Sequence, residues 1–200
     1  MTDSNQNKLL ILNGSPIRGS NVDVISEEIA NGASANGWTH ETVYLNDYII
    51  KPCQSCGVRD DDDICVLHDG IYPVYEKFSN CDAVIAASPV YFDSVSAQLK
   101  LFIDRCNCYR PLKKSQDGEL FLEKKQWKRR KGIIVLVGGE RQKHQQALSV
   151  VKGFFLWTGV AFLDSIFYAH DSWEIGAVAN STAVLKQAYE IGARLESTPQ

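Results

Sequence analysis

Five short apolar stretches alternate with segments whose apolar residues recur every three or four positions, and few architectures accept that order. Residues 9–12 form the first uninterrupted run and stop at Asn13-Gly14-Ser15-Pro16, as a strand buried on both faces stops at a loop. Val22, Ile25, Ile29 and Ala33 then fall at helical spacing to about Asn36, with Ser20 and Asp23 placed as a capping pair. Residues 38–45 alternate as a second strand. Asp69 opens a short helix carrying Ile71, Val74, Tyr75 and Phe78, with Pro73 tolerated in its first turn. Residues 82–87 read as a strand ending at Ser88-Pro89, and Val95, Leu99, Phe102, Ile103 and Cys106 mark the next helical face, which Ser94 or Ser96 starts. The strand at 132–137 runs into Gly138-Gly139. A helix at Ala147, Val151, Phe154 and Phe155, a strand at 160–168 and a helix at Val184, Ala188, Ile191 and Leu195 close the chain. Right-handed crossovers between buried parallel strands leave few topologies, and five strands suit an α/β, flavodoxin-like three-layer sandwich. Its five-stranded parallel sheet has order 2-1-3-4-5 and helices on both faces.

Two hundred residues, 44% hydrophobic and 22% charged, fit a single domain spanning 1–200 and exclude disorder and coiled coil. A net charge of −3 supplies no basic field, so neither nucleic acid nor an anionic membrane is an expected partner. Residues 1–7 are polar, lack the apolar run of a signal peptide, and are expected to form a disordered tail. The most apolar stretch, 149–169, is broken by Lys152, Gly153, Gly159 and Asp164 and reads as a helix and a strand, not a membrane span. Six cysteines are too few for a disulfide scaffold, which points to reduced thiols and a cytoplasmic setting. The segment 109–131 breaks the rhythm. It gathers Arg110, Lys113, Lys114, Lys124, Lys125, Lys128, Arg129, Arg130 and Lys131 against Asp117, Glu119 and Glu123. A solvated connection on the rim of the sheet is the favoured reading, and a binding patch the sharper one.

Ligands of open parallel sheets gather at the carboxyl ends of the strands. The first loop there, residues 13–21, joins small residues, hydroxyls and one arginine directly to a helix. Backbone amides, the positive end of the helix dipole, and Ser15, Arg18, Ser20 and Asn21 together suit a phosphate dianion. The loop is neither Gly-x-x-x-x-Gly-Lys-Ser/Thr nor Gly-x-Gly-x-x-Gly, so a monophosphate fits better than a triphosphate or dinucleotide.

Asn-Gly-Ser-Pro-x-x-x-Ser-Asn after the first strand, the long motif Ser88-Pro-Val-Tyr-Phe-Asp-Ser-Val-Ser-Ala-Gln-Leu-Lys-Leu-Phe-Ile-Asp-Arg105, and Val137-Gly-Gly resemble the NADPH-dependent FMN reductase family, which includes iron-sulfur flavoproteins. The resemblance implies FMN as cofactor, with its phosphate in the first loop. It places the isoalloxazine beside Ser88, Pro89, Val90, Tyr91, Phe92 and Asp93, and lets Gly138 and Gly139 approach the ring edge. Aromatic walls and close backbone donors suit a flat ring with one polar end. It further implies hydride transfer from NAD(P)H to a quinone, flavin, nitro or azo compound, metal ion or protein acceptor, within a homodimer or homotetramer. The aromatic content near Trp157, Phe162 and Trp173 is compatible with such contacts. Three departures stand out: Val22 replaces a usual threonine, Asp93 a usual glycine, and Lys143-His144-Gln145-Gln146 a Gly-Gly-Gln-Glu-like run. A flavodoxin-like electron carrier and a non-catalytic interaction module are the alternative functions.

Cys53, Cys56 and Cys65 follow the second strand, where iron-sulfur flavoproteins carry four clustered cysteines. Arg59 stands near the place of the missing one, and three thiols do not make a four-iron site. His68 would complete a Cys3His zinc set, but the acidic run 60–63 favours a plain loop. Cys81, Cys106 and Cys108 read as small buried hydrophobes. Arg105 reads as a structural ion-pair residue with Asp104 or a neighbour. His40, His144 and His170 are isolated and form no triad or metal spacing.

Overall fold

A computed structural model describes residues 6–57, 64–110, 112–123 and 128–196. Most of the tail, Arg59, the acidic run 60–63, Lys124 and Lys125 lie outside the described residues. The elements are β1 (Lys8–Asn13), α1 (Asn21–Ser34), β2 (Thr39–Tyr44), α2 (Tyr72–Asn80), β3 (Ala83–Tyr91), β4 (Ser94–Val95), α3 (Ala97–Arg105), β5 (Leu112–Lys114), β6 (Leu120–Leu122), β7 (Arg130–Gly138), α4 (Gln145–Thr158), β8 (Val160–Ala169) and α5 (Thr182–Ala193). The parallel sheet runs β2-β1-β3-β7-β8, the order expected for five such strands; β4 pairs antiparallel with β3, and β5 and β6 form a separate hairpin.

The uninterrupted apolar runs follow from burial on two sides. Leu9, Ile11, Ala83, Ile85, Ala87, Ile133, Val135 and Val137 point to a core shared with α1 and α5. Leu10, Leu12, Val84, Ala86, Ile134 and Leu136 point the other way, to α2, α3 and α4. Strand pleating alternates the two sets residue by residue. None of the described helices is long and apolar enough to cross a membrane.

Three sequence expectations change. Asn7, assigned to the tail, is tied down by the Thr39 N–H, which donates to its carbonyl at 3.0 Å. β3 extends through Ser88 and Pro89 to Tyr91 instead of stopping at residue 87. Proline is tolerated there because β1 has already ended at Asn13, opposite Ala87, so no donor is needed on that side. The basic segment is also more than a solvated connection, since it contains the β5–β6 hairpin. The Arg110 guanidinium donates to the carbonyls of Trp157 (2.7 Å) and Leu156 (2.9 Å) at the end of α4. Buried Arg130 donates to the Phe78 carbonyl (3.1 Å) near the end of α2 and sits over the Phe78 ring. Two of the segment's cations thus answer helix carboxyl termini, where the dipole favours positive charge.

Candidate functional site

Three loops meet at the carboxyl edge of β1, β3 and β7. The first is a turn built on its own side chains. The Ser15 N–H donates to Asn13 Oδ1 (2.8 Å), the Ser15 hydroxyl donates to the Ile17 carbonyl (2.9 Å), and the Ser20 hydroxyl donates to Ser15 Oγ (3.0 Å). Ser20 and Asp23 do not form the expected capping pair. The Asp23 carboxylate instead accepts from Asn13 Nδ2 and from the Gly19 amide, while Ser20 caps α1 without a side-chain bond. The amides of Asn21 and Val22 open α1, where no preceding turn supplies acceptors.

Of the four donors read from the sequence, Ser15 and Ser20 face each other across this turn. The other two side chains turn elsewhere. Arg18 stacks on the Tyr44 ring, 3.7 Å from its centroid, and ion-pairs with Asp47 at the end of β2. Asn21 bonds outward to Val178 and His170. Burial first, then the Asp23 carboxylate, pushes the Tyr44 phenol above its ordinary range despite the nearby Arg18. Val22 is buried in the α1 core and brings no hydroxyl to the turn.

The second loop is a two-residue hairpin joining β3 to β4, with Tyr91 opposite Ser94. Both central residues have positive φ, 51° at Phe92 and 61° at Asp93, the signature of a type I′ turn usually given to Asn-Gly. Phe92 is 100% exposed, so no packing within the chain offsets its strain, and Tyr91 is 44% exposed. Ser88 is wholly buried. Its hydroxyl donates to the Pro89 carbonyl (2.7 Å) and accepts the Ser96 N–H (2.9 Å), bracing the hairpin from beneath. Val90 is likewise buried, against Val95 and the α3 side of the core. Ser96 caps α3, accepting the Leu99 N–H at 3.3 Å.

The third loop closes on itself: the Gly139 N–H donates to Gln142 Oε1 (2.7 Å) and the Gln142 N–H to the Gly139 carbonyl (3.0 Å). A Cβ on Gly138 would lie 2.9 Å from Gln142 Oε1 and 3.3 Å from Val90 Cβ, so a larger residue here would have to displace the Gln142 side chain. His144 stacks on Phe167 with ring centroids 4.0 Å apart.

Hydrogen bonds link the loops into one rim. The Ser96 hydroxyl donates to the Gly14 carbonyl (2.7 Å), joining the second loop to the first. Asp93 accepts the Lys143 N–H (2.7 Å), joining the second to the third. The His170 N–H donates to the Gly138 carbonyl (3.0 Å) and its ring meets Asn21, joining the third back to the first. Sequence reasoning missed His170 and Asp23 in these roles; only Asp23's place in the first turn of α1 signalled anything.

The cysteine loop follows β2. Cys53 is half-buried, Cys56 exposed and Cys65 buried, and none of the three is in a disulfide. His68 stacks on Tyr72 at 4.1 Å instead of joining them. Among the described residues no group of three histidines, cysteines or acids could hold a metal ion. Burial pushes the Cys81 thiol up to about 12 and the Cys106 thiol well above its ordinary range, which suits inert packing. The base of the loop is braced by Arg105, whose side chain is fully buried. It pairs with Asp69 (2.7 Å), not with Asp104, and donates to the carbonyls of Lys51 and Leu67, both at 2.8 Å. Asp104 pairs with Lys100 instead.

A β2-β1-β3-β7-β8 sheet with a hydroxyl-lined turn and an aromatic hairpin on one edge defines a flavodoxin-like α/β protein, and the candidate site lies where the strand order reverses. Residues 7–174 match the family described as NADPH-dependent FMN reductase, and the chain belongs to that family. An iron-sulfur flavoprotein of Methanosarcina thermophila is 31% identical over 141 residues, 70% of this chain and 67% of that protein. A putative NAD(P)H-dependent FMN-containing oxidoreductase of Bacillus subtilis is 28% identical over 163 residues, 78% of this chain and 81% of that protein. An NAD(P)H:quinone oxidoreductase from Methanothermobacter marburgensis shares the fold with a TM-score of 0.65 at 16% identity, covering 98% of this chain and 100% of that one. A Bacillus anthracis FMN-dependent NADH-azoreductase in complex with FMN gives 0.66 at 14%, covering 94% and 99%.

The family's cofactor is FMN, and the rim suits it. The first turn offers helix-start amides beside two hydroxyls, and the hairpin offers an exposed aromatic. At Gly139 a Cβ would meet nothing nearer than 3.8 Å, so the backbone can be approached there. The described thiols do not suit an iron-sulfur cluster.

Proposed function

We propose that this chain is an NAD(P)H oxidoreductase that holds FMN on the rim described above and passes electrons to a second, small-molecule or protein acceptor. The carrying observation is the convergence of the Ser15–Ser20 turn, the Phe92 hairpin and the Gly138–Gly139 turn on one edge, bonded to one another. When bound, FMN supplies the hydride acceptance from a nicotinamide and the onward transfer. The protein's own tasks are placement and shielding. Ser15, Ser20 and the first amides of α1 grip the phosphate, with the helix dipole favouring its charge. Arg18, held on Tyr44 and Asp47, adds positive potential beside the turn. Pro89 stiffens the second loop, Tyr91 and Phe92 wall the ring, and Gly138 and Gly139 bring backbone close to its polar end. Ser88, Val90 and Asp93 act indirectly, by setting the hairpin.

Purified protein should absorb as a flavoprotein or take up one FMN per chain, and NADPH or NADH should bleach it anaerobically. A colourless protein indifferent to added FMN would refute the reading. Steady-state nicotinamide oxidation with quinone, nitro, azo or flavin acceptors separates a reductase from an electron carrier and ranks the acceptors. Exposed aromatics, Phe162 and Trp173 among them, are compatible with assembly into a dimer or tetramer, which light scattering would read.

The strain at Phe92 makes a second expectation. Phe92→Gly should raise the unfolding free energy by up to about 1 kcal/mol, because glycine accepts positive φ freely. The same change should weaken FMN binding about threefold to tenfold through loss of an aromatic wall. Denaturant titration and flavin titration of one preparation check both signs.

A further inference from the structure

The rim contains a histidine that no sequence pattern marks, His170, and its ring is met by the side chain of Asn21. Asn21 is the first residue of α1, and its Oδ1 accepts the Val178 N–H at 2.9 Å. That bond fixes the carboxamide: its oxygen faces Val178, so its nitrogen faces His170 Nε2 at 3.2 Å. An amide nitrogen can only donate, so in this arrangement Nε2 is the acceptor. Nδ1 is shut from solvent without a hydrogen-bond partner among the described residues. The backbone of the same histidine donates to the Gly138 carbonyl. The chain beyond it returns across the first loop so closely that a Cβ on Gly176 would lie 2.8 Å from the Gly19 carbonyl.

The geometry points to His170 as a positioning residue for the phosphate grip. It is not a ligand donor. By accepting from Asn21 it holds the first turn of α1 against the end of β8, and so sets where the opening amides of that helix converge. Asn21 contributes its backbone to the anion while its side chain is the tether. The inference rests on the FMN reading above, and it assigns the tether to the phosphate half of the cofactor alone.

The test compares FMN with riboflavin, which lacks the phosphate, by fluorescence quenching on wild type, His170→Ala, His170→Gln and Asn21→Ala. His170→Ala should bind FMN about tenfold more weakly, the loss expected for one hydrogen bond, while riboflavin changes less than about twofold. His170→Gln, whose carboxamide oxygen can accept from Asn21, should recover most of the FMN affinity. Asn21→Ala cuts the same bond from the other side and should repeat the FMN-specific loss, which keeps the test decisive even where His170→Ala fails to fold. An unchanged FMN affinity in either alanine variant overturns the assignment. So does an equal loss for both flavins, or a glutamine variant no better than alanine. Wild-type protein that binds no FMN would instead sink the cofactor reading before any variant is compared.

Discussion

Arg105→Met should lower the unfolding free energy by about 3–5 kcal/mol at neutral pH, among the largest losses from any single change in this chain. The guanidinium is fully buried and satisfies three acceptors at once: the Asp69 carboxylate and the carbonyls of Lys51 and Leu67. Methionine fills similar volume but leaves a nearly buried carboxylate without its counter-ion and the Lys51 carbonyl without this donor, while the Leu67 carbonyl keeps only the Asp69 N–H. The pH dependence carries a second signature. Burial opposes ionisation of Asp69, yet the Arg105 hydrogen bond, the Lys51 amide and the Arg105 charge outweigh it and hold the carboxyl below the usual range. A depressed carboxylate contributes stability above its unfolded value, near pH 4, and loses it as pH falls through the folded one. Without Arg105, burial is opposed only by the Lys51 and Ile71 amides and the folded value rises, so the variant's deficit should shrink on acidification. Urea denaturation at pH 7 and pH 4 measures both effects; an equal deficit at the two values would refute the account.

The second large effect is expected at the crossing of α1 and α5. A Cβ on Gly192 would lie 1.9 Å from the Ile29 carbonyl oxygen, and one on Gly32 would lie 2.1 Å from that of Tyr189. In both cases the obstacle is helix backbone, which cannot rotate aside as a side chain can. Gly192→Ala must therefore push the helices apart along a buried face that includes Ile29, Ala33, Ala188 and Ile191. The expected cost is about 3 kcal/mol or more, at the upper end for overpacking, seen as a lower urea midpoint with an unchanged slope. Because α1 begins at the turn proposed to hold the phosphate, FMN affinity should fall as well. A substitution absorbed with no change in midpoint would show that the crossing is looser than described.

The sheet was readable because its central strands are buried on both faces, which leaves apolar runs such as residues 9–12 with no polar interruption. The three site loops were readable for a related reason, since glycine, proline and hydroxyl residues collect where those runs end. Where the reading failed, the deciding contact was distant in sequence. Pro89 looked like a strand terminator, and only the early end of β1 makes it admissible inside β3. Arg105 reads as a structural ion-pair residue with Asp104 or a neighbour, and it is one, but its partner Asp69 stands 36 positions away. Arg110 and Arg130 read as part of a solvated charge run because nothing local announces that helix ends wait for them. His170 carried no signal at all: its partner Asn21 lies 149 residues earlier, and no spacing rule spans such a gap.

The linked rim has a consequence for how cofactor and chain meet. Each loop is held by a group on another loop or at the end of β8: Gly14 by Ser96, Lys143 by Asp93, Gly138 by the His170 backbone. The entropy of ordering these segments is therefore lost when the sheet assembles and not when a flavin arrives. Loading then resembles a key entering a finished lock, with little heat-capacity change beyond the ligand's own burial. The same wiring makes the rim a shared structure, so damage to one loop reaches the other two.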